Sequence, residues 1–415
     1  MTSQIVLGNG HGIAIASDSA VTMGGRRTYD TSEKIYPLPL PHSVAVLHAG
    51  SVLFHGMPYS TIINSWIQSL GSHQLRLISD YVESFRKFLL EELAGWCDIH
   101  QQSADFVENM NEEFRRIWHK MFVDGKVVSP KEALQIWKSE VNDLSQRDAY
   151  GQGTPFLKTA GTFVSSVEEK FIQVWSEQAN ETEGVSGRIE FWFDDVPRNE
   201  EINDLIKQYV WLSVSSHYPM SDDECAELTF AGYGTRSMIP AINKYILHGA
   251  LNGSILGNEF EPRPAIRIES GFLLIDLIGQ QRAIRTFLQG YDSALVETIK
   301  SASSVALEED GRLVASETLK TEDNLTNLSI SAKEKIGEVI EGAFDSFGED
   351  TNLSSFRSTA SLMPLASLAA TAKSLIQIQE LSLDSRGRLP TVGGQVRVGT
   401  LTKTHGFNWL QSDTN

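Results

Sequence analysis

The sequence predicts an α+β fold, in which strands and helices occupy separate stretches of the chain. Three observations point to it. The first 50 residues read as four short apolar strands, residues 74–148 carry apolar side chains at helical spacing, and strand-like segments return at 228–235 and 265–278. A chain of 415 residues is long enough for one large domain or two average ones.

The N-terminal segment predicts a β-hairpin. Thr2–Gly8 reads as the first strand, Asn9–Gly10 is the strongest two-residue turn signal, and Gly12–Ser17 reads as the returning strand. With that turn, Thr2 faces the last residue of the second strand and Asp18 lies one step beyond. We therefore expect the turn alone to deliver a carboxylate to Thr2.

The elements that follow alternate between strand-like runs and helical periodicity. Up to residue 251, the predicted elements are strands at Glu33–Tyr36 and Val44–Gly50, a helix over Ser51–Leu70 that Gly71 ends, three helices within 74–148 of which the third begins near Ser129, a strand at Arg188–Phe193, a helix over Asn199–Ser216, a strand at Leu228–Thr235 and a helix over Met238–Leu251.

The C-terminal part is predicted in the same way. Residues 308–358 are acidic and polar, which we interpret as a solvated insertion around one helix at Ser331–Phe347. The other predicted elements are paired strands at Ala265–Ile268 and Phe272–Ile278, a helical stretch over Gln281–Leu307 broken near Gly290, a helix over Leu365–Glu380, a closing strand before Thr402 and a short strand from Gly406.

The spacing of Thr2, Asp18 and Lys34 is the main functional signal. A threonine hydroxyl is a weak nucleophile at neutral pH and needs a nearby base. A free α-amine, whose pKa is about 7.7–8.0, serves as that base once cleavage after Met1 leaves Thr2 at the start of the chain. The nucleophile and its base then belong to one residue.

Lys34 and Gly50 extend this set. A lysine beside the threonine favours deprotonation of the amine and the hydroxyl, and Asp18 would hold that lysine in an ion pair. Gly50 ends an apolar strand, where its N–H is suited to stabilise a developing oxyanion. Each residue alone also fits an ordinary role as an N-terminal residue, a turn residue, a solvated ion pair or a strand-end glycine. Their combination is more specific than any one of them.

The sequence around these residues resembles the proteasome β-type subunits of the N-terminal-nucleophile hydrolase superfamily. The resemblance is carried by Gly12–Ser19, Lys34–Ile35 and His48–Gly50. Leu228–Thr235 is similar to the family's strand that ends in Gly-Ser-Gly, and residues 365–402 are similar to its final helix, its Ser-Gly-Gly turn and its closing strand.

The resemblance implies a four-layer αββα sandwich of two antiparallel sheets with a large helical insertion, which is the fold of that superfamily. The core would comprise residues 1–70, 226–300 and 356–415. A mainly helical insertion would occupy 71–225, and an acidic polar insertion with one helix would occupy 301–355.

The resemblance also implies a threonine-type peptidase that cleaves amide bonds through an acyl-enzyme. Its catalytic residues would be Thr2, Asp18, Lys34 and Gly50. Its substrate-binding residues would be Val21, Ser32, His48 and Val52. Its partners would be a peptide or protein substrate and further copies of this chain, and an ATPase partner is implied by the resemblance alone.

Three departures from the family pattern keep alternatives open. Tyr233 and Val392 stand where the family has serines, and Leu389 stands where it has an aspartate. These are supporting positions around the threonine amine and hydroxyl. One alternative is a catalytically silent, ring-forming structural subunit, and another is an acylase of small amides from the same superfamily.

The composition of the chain disfavours some classes of binding partner. The formal net charge is −18 and the isoelectric point is about 5.0, which argues against nucleic acid and anionic membranes as partners. Two cysteines, Cys97 and Cys225, provide no disulfide framework. With no signal peptide, no apolar run of membrane-spanning length and no metal or phosphate motif, we expect a cytoplasmic protein without a cofactor.

Overall fold

The computed structural model describes residues 2–23, 26–29, 33–98, 102, 116–123, 126–146, 154–155, 199–215, 225–251, 254–303, 335, 337–344, 346–348, 352–385 and 392–410. The chain forms two compact units. The first unit comprises Met1–Ser32, Ala265–Thr402 and Asn408–Asn415, and the second comprises Glu33–Pro264 and Lys403–Phe407.

Nineteen strands are assigned within these described ranges. In chain order they are β1 (Ser3–Asn9), β2 (Gly12–Ser17), β3 (Val21–Met23), β4 (Arg26–Tyr29), β5 (Ile35–Pro37), β6 (Ser43–Gly50), β7 (Leu53–Phe54), β8 (Met57–Pro58), β9 (Phe122–Val123), β10 (Lys126–Val127), β11 (Thr154–Pro155), β12 (Ala226–Tyr233), β13 (Ala241–Leu251), β14 (Ser254–Glu259), β15 (Arg263–Pro264), β16 (Ile266–Ile268), β17 (Gly271–Gly279), β18 (Arg397–Thr402) and β19 (Gly406–Trp409).

Seven longer helices are named here in the same order. They are α1 (Tyr59–Leu70), α2 (Ile78–Leu93), α3 (Pro130–Gln146), α4 (Glu200–Ser215), α5 (Arg282–Gln289), α6 (Ser354–Leu362) and α7 (Leu365–Ser385). Residues 116–120, 293–303 and 337–344 are also helical. The predicted α+β class is confirmed.

A six-stranded sheet forms the centre of the first unit. Its strand order is β16-β17-β1-β2-β18-β19, so the N-terminal strand β1 lies inside the sheet, between β17 and β2. Both of these pairings are antiparallel. One face of the sheet packs against α5, α6 and α7 through a core that includes Ile5, Leu7, Ile284, Leu368 and Ile376.

The register of the β1–β2 hairpin differs from the predicted one. Asn9 pairs with Gly12, so the turn residues are Gly10 and His11 rather than Asn9 and Gly10. Asn9 is completely buried, and its side-chain amide donates hydrogen bonds to the carbonyls of Ala360 and Met363 at 2.9 and 2.8 Å. These contacts keep Asn9 in the strand and move the turn one residue along the chain.

A seven-stranded antiparallel sheet forms the centre of the second unit. Its main order is β11-β14-β13-β12-β6-β5, and β15 pairs with β13. Helices α1 and α2 pack on this sheet through Trp66, Phe85 and Phe230, whose rings meet with centroids 5.4 to 5.9 Å apart. Helix α2 therefore shares the core of this sheet, although the sequence boundary at residue 71 would assign it to an insertion.

Two predicted helices are wrong in whole or in part. The helix predicted over Ser51–Leu70 begins only at Tyr59, because β7 and β8 form a small hairpin whose turn contains Gly56 at φ +79°. The segment Met238–Leu251 contains strand β13, which pairs with β12 and β14. Its two faces are both largely buried, so its sequence lacks the apolar–polar alternation of a half-exposed strand.

Other predicted elements are confirmed. Helix α3 begins with a capping box in which Ser129 and Glu132 exchange hydrogen bonds, α4 and α7 match the predicted helices, and β16 and β17 pair as predicted. Gly290, in the left-handed region, ends α5. The strand predicted at Arg188–Phe193 lies outside the described residues.

Candidate active site

Thr2 lies directly before β1 in the first unit. Its residue is 8% exposed, and its carbonyl oxygen accepts a hydrogen bond of 2.7 Å from the N–H of Gln280. Gly279, the last residue of β17, packs against the same carbonyl with φ +71°, and a Cβ there would lie 2.1 Å from the Thr2 oxygen. Thr2 therefore packs so closely against the main chain of residue 279 that only glycine fits at that position.

Asp18 follows β2 and lies opposite Ser3, the residue after Thr2. The N–H of Asp18 donates to the Ser3 carbonyl at 3.1 Å, and the Asp18 Oδ1 accepts from the Ser3 N–H at 2.9 Å. The carboxylate is 1% exposed. The sequence predicts that the hairpin delivers this carboxylate to Thr2; in the structure the register is different and the carboxylate accepts from the N–H of Ser3.

A glycine turn near the C-terminus closes on the same carboxylate. The Gly393 N–H donates to the Asp18 Oδ2 at 3.3 Å, and the Gly393 carbonyl accepts from the N–H groups of Ser19 and Ala20 at 3.1 and 3.0 Å. Val392, which precedes this turn, is completely buried. A side chain without a hydroxyl therefore stands beside the residue that contacts Asp18.

Lys34 lies in the second unit, directly before β5. Its residue is 6% exposed, and its carbonyl accepts the His48 N–H at 2.9 Å, which continues the β5–β6 pairing. Burial is the main cause of the lowered pKa of the His48 imidazole, and the charge of Lys34 makes a smaller contribution in the same direction. Lys34 is therefore a buried residue close to the end of β6.

Gly50 ends β6 at a close backbone crossing. Its φ is +88°, and a Cβ at this position would lie 2.0 Å from the Cys225 carbonyl oxygen. That carbonyl accepts the Ser51 N–H at 2.8 Å. Only glycine fits here, because a side chain would meet main-chain atoms of the neighbouring strand.

His48 is buried beside Gly50. Its Nε2–H donates to the Ser51 carbonyl at 2.7 Å, and its ring packs against that of Tyr59 with centroids 4.7 Å apart and the planes tilted by 37°. The pKa of His48 is lowered to about 4, mainly by burial; the hydrogen bond to Ser51 opposes this shift and the charge of Lys34 adds to it. The imidazole is therefore neutral at physiological pH.

The other predicted substrate-binding residues have different surroundings. Val52 lies two residues after Gly50 and is 40% exposed, and its carbonyl accepts the Tyr59 N–H at 3.1 Å. Val21 begins strand β3. Ser32 lies outside the described residues, as does Leu389, one of the three departures from the family pattern.

Tyr233 is far from the Gly50 end of its own strand. In the β12–β6 pair, Tyr233 lies opposite Ser43, whereas Ala226 lies opposite Gly50, at the other end of the strand. Tyr233 is buried, which raises its pKa to about 12. The residues beside Thr2 at a strand end are instead Gly279 and Gln280.

Sequence reasoning missed Gly279 and Gln280 as site residues. A signal for them was present, because a glycine ends the predicted strand Phe272–Ile278 directly before a predicted helix. What the sequence did not show is that this strand end pairs with the N-terminal strand, with Gly279 opposite Ser3.

Taken together, the structure brings Thr2 and Asp18 to one end of the β1–β2 pair in the first unit. It brings Lys34, His48 and Gly50 to one end of the β5–β6 pair in the second unit. Among the described residues, no cluster of three or more His, Cys, Asp or Glu side chains is suited to hold a metal ion. Within the same ranges, every helix is too short or too polar to cross a membrane.

Comparison of the sequence with family models and with curated proteins found no match to either. Function is therefore inferred from the residues and their surroundings.

Proposed function

We propose that this chain is an N-terminal threonine hydrolase that cleaves amide bonds, with the αββα fold of the N-terminal-nucleophile superfamily and similar to proteasome β-type subunits. The observation that carries the proposal is the hydrogen bond of 2.9 Å from the Ser3 N–H to the Asp18 carboxylate. It fixes a buried carboxylate at the residue that follows the proposed nucleophile Thr2.

The proposed reaction begins once the Met1–Thr2 bond has been cleaved. The Thr2 α-amine then accepts the proton of the Thr2 hydroxyl as its oxygen attacks the substrate carbonyl. The tetrahedral intermediate collapses, the amine product leaves with a proton, and an ester to Thr2 remains. Water attacks this ester with the α-amine as general base, and the acid product is released.

The main-chain hydrogen bonds around Thr2 suit such a nucleophile. The Gln280 N–H fixes the Thr2 carbonyl, and the Asp18 carboxylate fixes the Ser3 N–H, so the peptide unit after the nucleophile has hydrogen bonds at both ends. A reacting group gains rate from being held in one orientation before the substrate arrives. Neither contact uses the Thr2 hydroxyl or its α-amine, which are the two groups that the chemistry needs.

Lys34 and Gly50 have proposed roles that rest on the sequence resemblance. Lys34 would keep the amine deprotonated, and the Gly50 N–H would stabilise the oxyanion. The substrate would be a peptide or a protein, and the chain would associate with further copies of itself.

The test is the intact mass of the protein before and after treatment with a peptide epoxyketone or a β-lactone. The expected result is a chain that lacks Met1 and gains one covalent adduct, located on Thr2 by peptide mapping. Replacing Thr2→Ala should abolish the adduct and lower amide hydrolysis by more than about 10³-fold, because it removes the nucleophile. Lys34→Ala should lower hydrolysis nearly as far.

Thr2→Ser is the matched control, because it keeps a hydroxyl and an amine on the same residue. It should still form the adduct. A Met1-free chain that forms no adduct and hydrolyses no amide would contradict the proposal, and so would full activity in Thr2→Ala.

The second candidate is a catalytically silent member of the same superfamily. It is favoured by Val392, a completely buried residue without a hydroxyl next to Gly393, which contacts Asp18. Adduct formation by the parent chain separates the two functions. An active enzyme should form the adduct with Val392 in place, whereas a silent member should form none.

A further inference from the structure

Four loop segments meet at one end of the second unit, and together we call them the distal surface. They comprise residues 39–42, 71–77, 234–238 and 403–405. In the β6–β12 pair, Ser43 and Tyr233 lie opposite each other next to these segments, whereas Gly50 lies at the other end of β6. The eight residues of β6 span about 23 Å. The distal surface is therefore well separated from Gly50.

Hydrogen bonds between the segments hold the distal surface in one arrangement. The Arg236 N–H donates to the Arg76 carbonyl at 3.2 Å. The Gln74 side chain donates to the Pro41 carbonyl at 2.6 Å. The Lys403 Nζ donates to two main-chain carbonyls of segment 234–238, at 2.6 and 3.3 Å. Each segment is joined to another one, so a ligand would meet a surface that is already formed and would lose little affinity to ordering it.

The distal surface is basic, although the chain as a whole is acidic. The chain carries 53 Asp and Glu against 35 Lys and Arg, but the four segments contain Arg76, Arg236 and Lys403 and neither Asp nor Glu. Among the described residues, none of these three side chains forms an ion pair. Asp80, just beyond the second segment, accepts the main-chain N–H groups of Arg76 and Leu77 at 3.2 and 2.9 Å. The three positive charges therefore favour an acidic ligand.

Three exposed apolar side chains lie among these cations. Leu40, Leu77 and Met238 are 68%, 48% and 81% exposed. Leu77 directly follows Arg76, and the Met238 sulfur lies 3.7 Å from the Lys403 Nζ. Exposed apolar side chains that are grouped beside charged ones are typical of surfaces that bind other proteins. The ligand that we expect here therefore carries both carboxylates and apolar side chains.

We propose that the distal surface binds an acidic segment of a partner protein, in which Asp or Glu side chains alternate with apolar ones. The carboxylates pair with the guanidinium groups of Arg76 and Arg236, whose shape matches a carboxylate. The apolar side chains cover Leu40, Leu77 and Met238. A short peptide segment is favoured over a long polyanion or an anionic membrane, because the net charge of −18 on the chain repels those.

The test is fluorescence anisotropy with the labelled synthetic peptide Asp-Leu-Glu-Leu-Asp-Leu, blocked at both ends. The matched control peptide is Asn-Leu-Gln-Leu-Asn-Leu, which has a similar shape and no charge. The parent chain should bind the acidic peptide at least ~10-fold more tightly than the neutral one. Raising the salt concentration from about 0.05 M to about 0.5 M should weaken binding of the acidic peptide, because salt screens exposed charges.

Substitutions test the location of the site. The double variant Arg76→Glu/Arg236→Glu should weaken binding of the acidic peptide at least ~10-fold, because attraction becomes repulsion at two positions. Both side chains are exposed, and the hydrogen bond between these residues is a main-chain one, so the fold should persist. Arg267→Glu is the matched control and should leave binding unchanged, since Arg267 is an exposed arginine of the first unit. Met238→Ser should weaken binding by about 3-fold, because it removes apolar surface.

Several outcomes would overturn the proposal. They are equal binding of the acidic and neutral peptides, no binding of either, and binding that Arg76→Glu/Arg236→Glu leaves unchanged. A second copy of the chain is the other occupant to consider. If the parent chain self-associates in sedimentation velocity, the double variant does not, and the peptide does not bind, the distal surface is a subunit contact and the proposal is wrong. None of these measurements uses amide hydrolysis, so a failure of the proposed function would leave them unchanged.

Discussion

Two strand ends carry the candidate residues, and they are held in different ways. At the start of β1, the main chain of Thr2 and Ser3 is fixed by Gln280 and by the Asp18 carboxylate. At the end of β6, the segment after Gly50 is fixed by the imidazole of His48. The first strand end is held by a main-chain N–H and a carboxylate, and the second is held by a buried imidazole.

The second strand end has a further histidine contact. The Nε2 of His55 accepts the Ala250 N–H at 2.7 Å, which ties the β7–β8 hairpin to β13. His55 itself has a positive φ of 47°, which is uncommon for residues other than glycine, although histidine, asparagine and aspartate adopt it more often than most. We therefore expect both strand ends to lose stability when their glycines are replaced by larger residues. We expect the pH dependence of their stability to differ.

The largest expected effect tests what the two strand ends share. Gly50→Ala and Gly279→Ala each place a Cβ within 2.1 Å of a main-chain oxygen and force alanine to a positive φ. Each should lower the free energy of unfolding by about 4 kcal/mol or more, because both the clash and the dihedral strain oppose folding. Urea denaturation monitored by circular dichroism measures this.

Gly10→Ala is the control for both substitutions. Gly10 lies in the hairpin turn, and a Cβ there would meet nothing within 4 Å. We expect its unfolding free energy to stay within about 0.5 kcal/mol of the parent value. If Gly10→Ala cost as much as Gly50→Ala, close packing at the strand ends would not be the cause.

The next prediction concerns the pH dependence of stability, in which the two strand ends should differ. Burial lowers the pKa of both His48 and His248 from 6.5 to about 4, and both lie in the second unit. Between these pH values the unfolded chain binds protons that the folded chain does not. Stability is therefore full above pH 6.5 and falls as the pH approaches 4, by up to about 3 kcal/mol for each histidine.

Urea unfolding at steps between pH 7 and pH 4.5 measures this loss. His48→Asn and His248→Asn should each flatten the pH dependence, because each removes one group that gains a proton on unfolding. Hydrogen exchange, corrected for pH, should show β6 losing protection before β1. A pH slope that neither substitution changes would contradict the assignment to these histidines.

The elements that sequence predicted well are those with local signals. The capping box at Ser129 and the glycine after α1 mark helix ends through their own chemistry, and the paired strands at residues 265–278 are separated by a short turn. Strand β13 was mistaken for a helix because its surroundings bury both of its faces. Only the strands on either side, β12 and β14, make it a strand.

The same division holds for the site. Asp18 was expected near Thr2 because a hairpin brings together residues that are close in sequence, and this survives the shift of the turn. Gly279 and Gln280 meet Thr2 through a pairing between distant parts of the chain. No local pattern encodes such a long-range pairing, so the contact of these residues with Thr2 is visible only in the folded structure.

The smallest of these effects concerns the residue that sets the hairpin register. Asn9→Ala removes the amide that donates to the Ala360 and Met363 carbonyls and accepts the His11 N–H at 2.9 Å. We expect a loss of about 2 kcal/mol in unfolding free energy, because these groups are left without their partner in a buried site. His11→Ala is the control, since His11 is exposed and contributes only its main chain to this contact. Equal losses in the two variants would show that the turn sequence, rather than the buried amide at the far end of β1, stabilises this register.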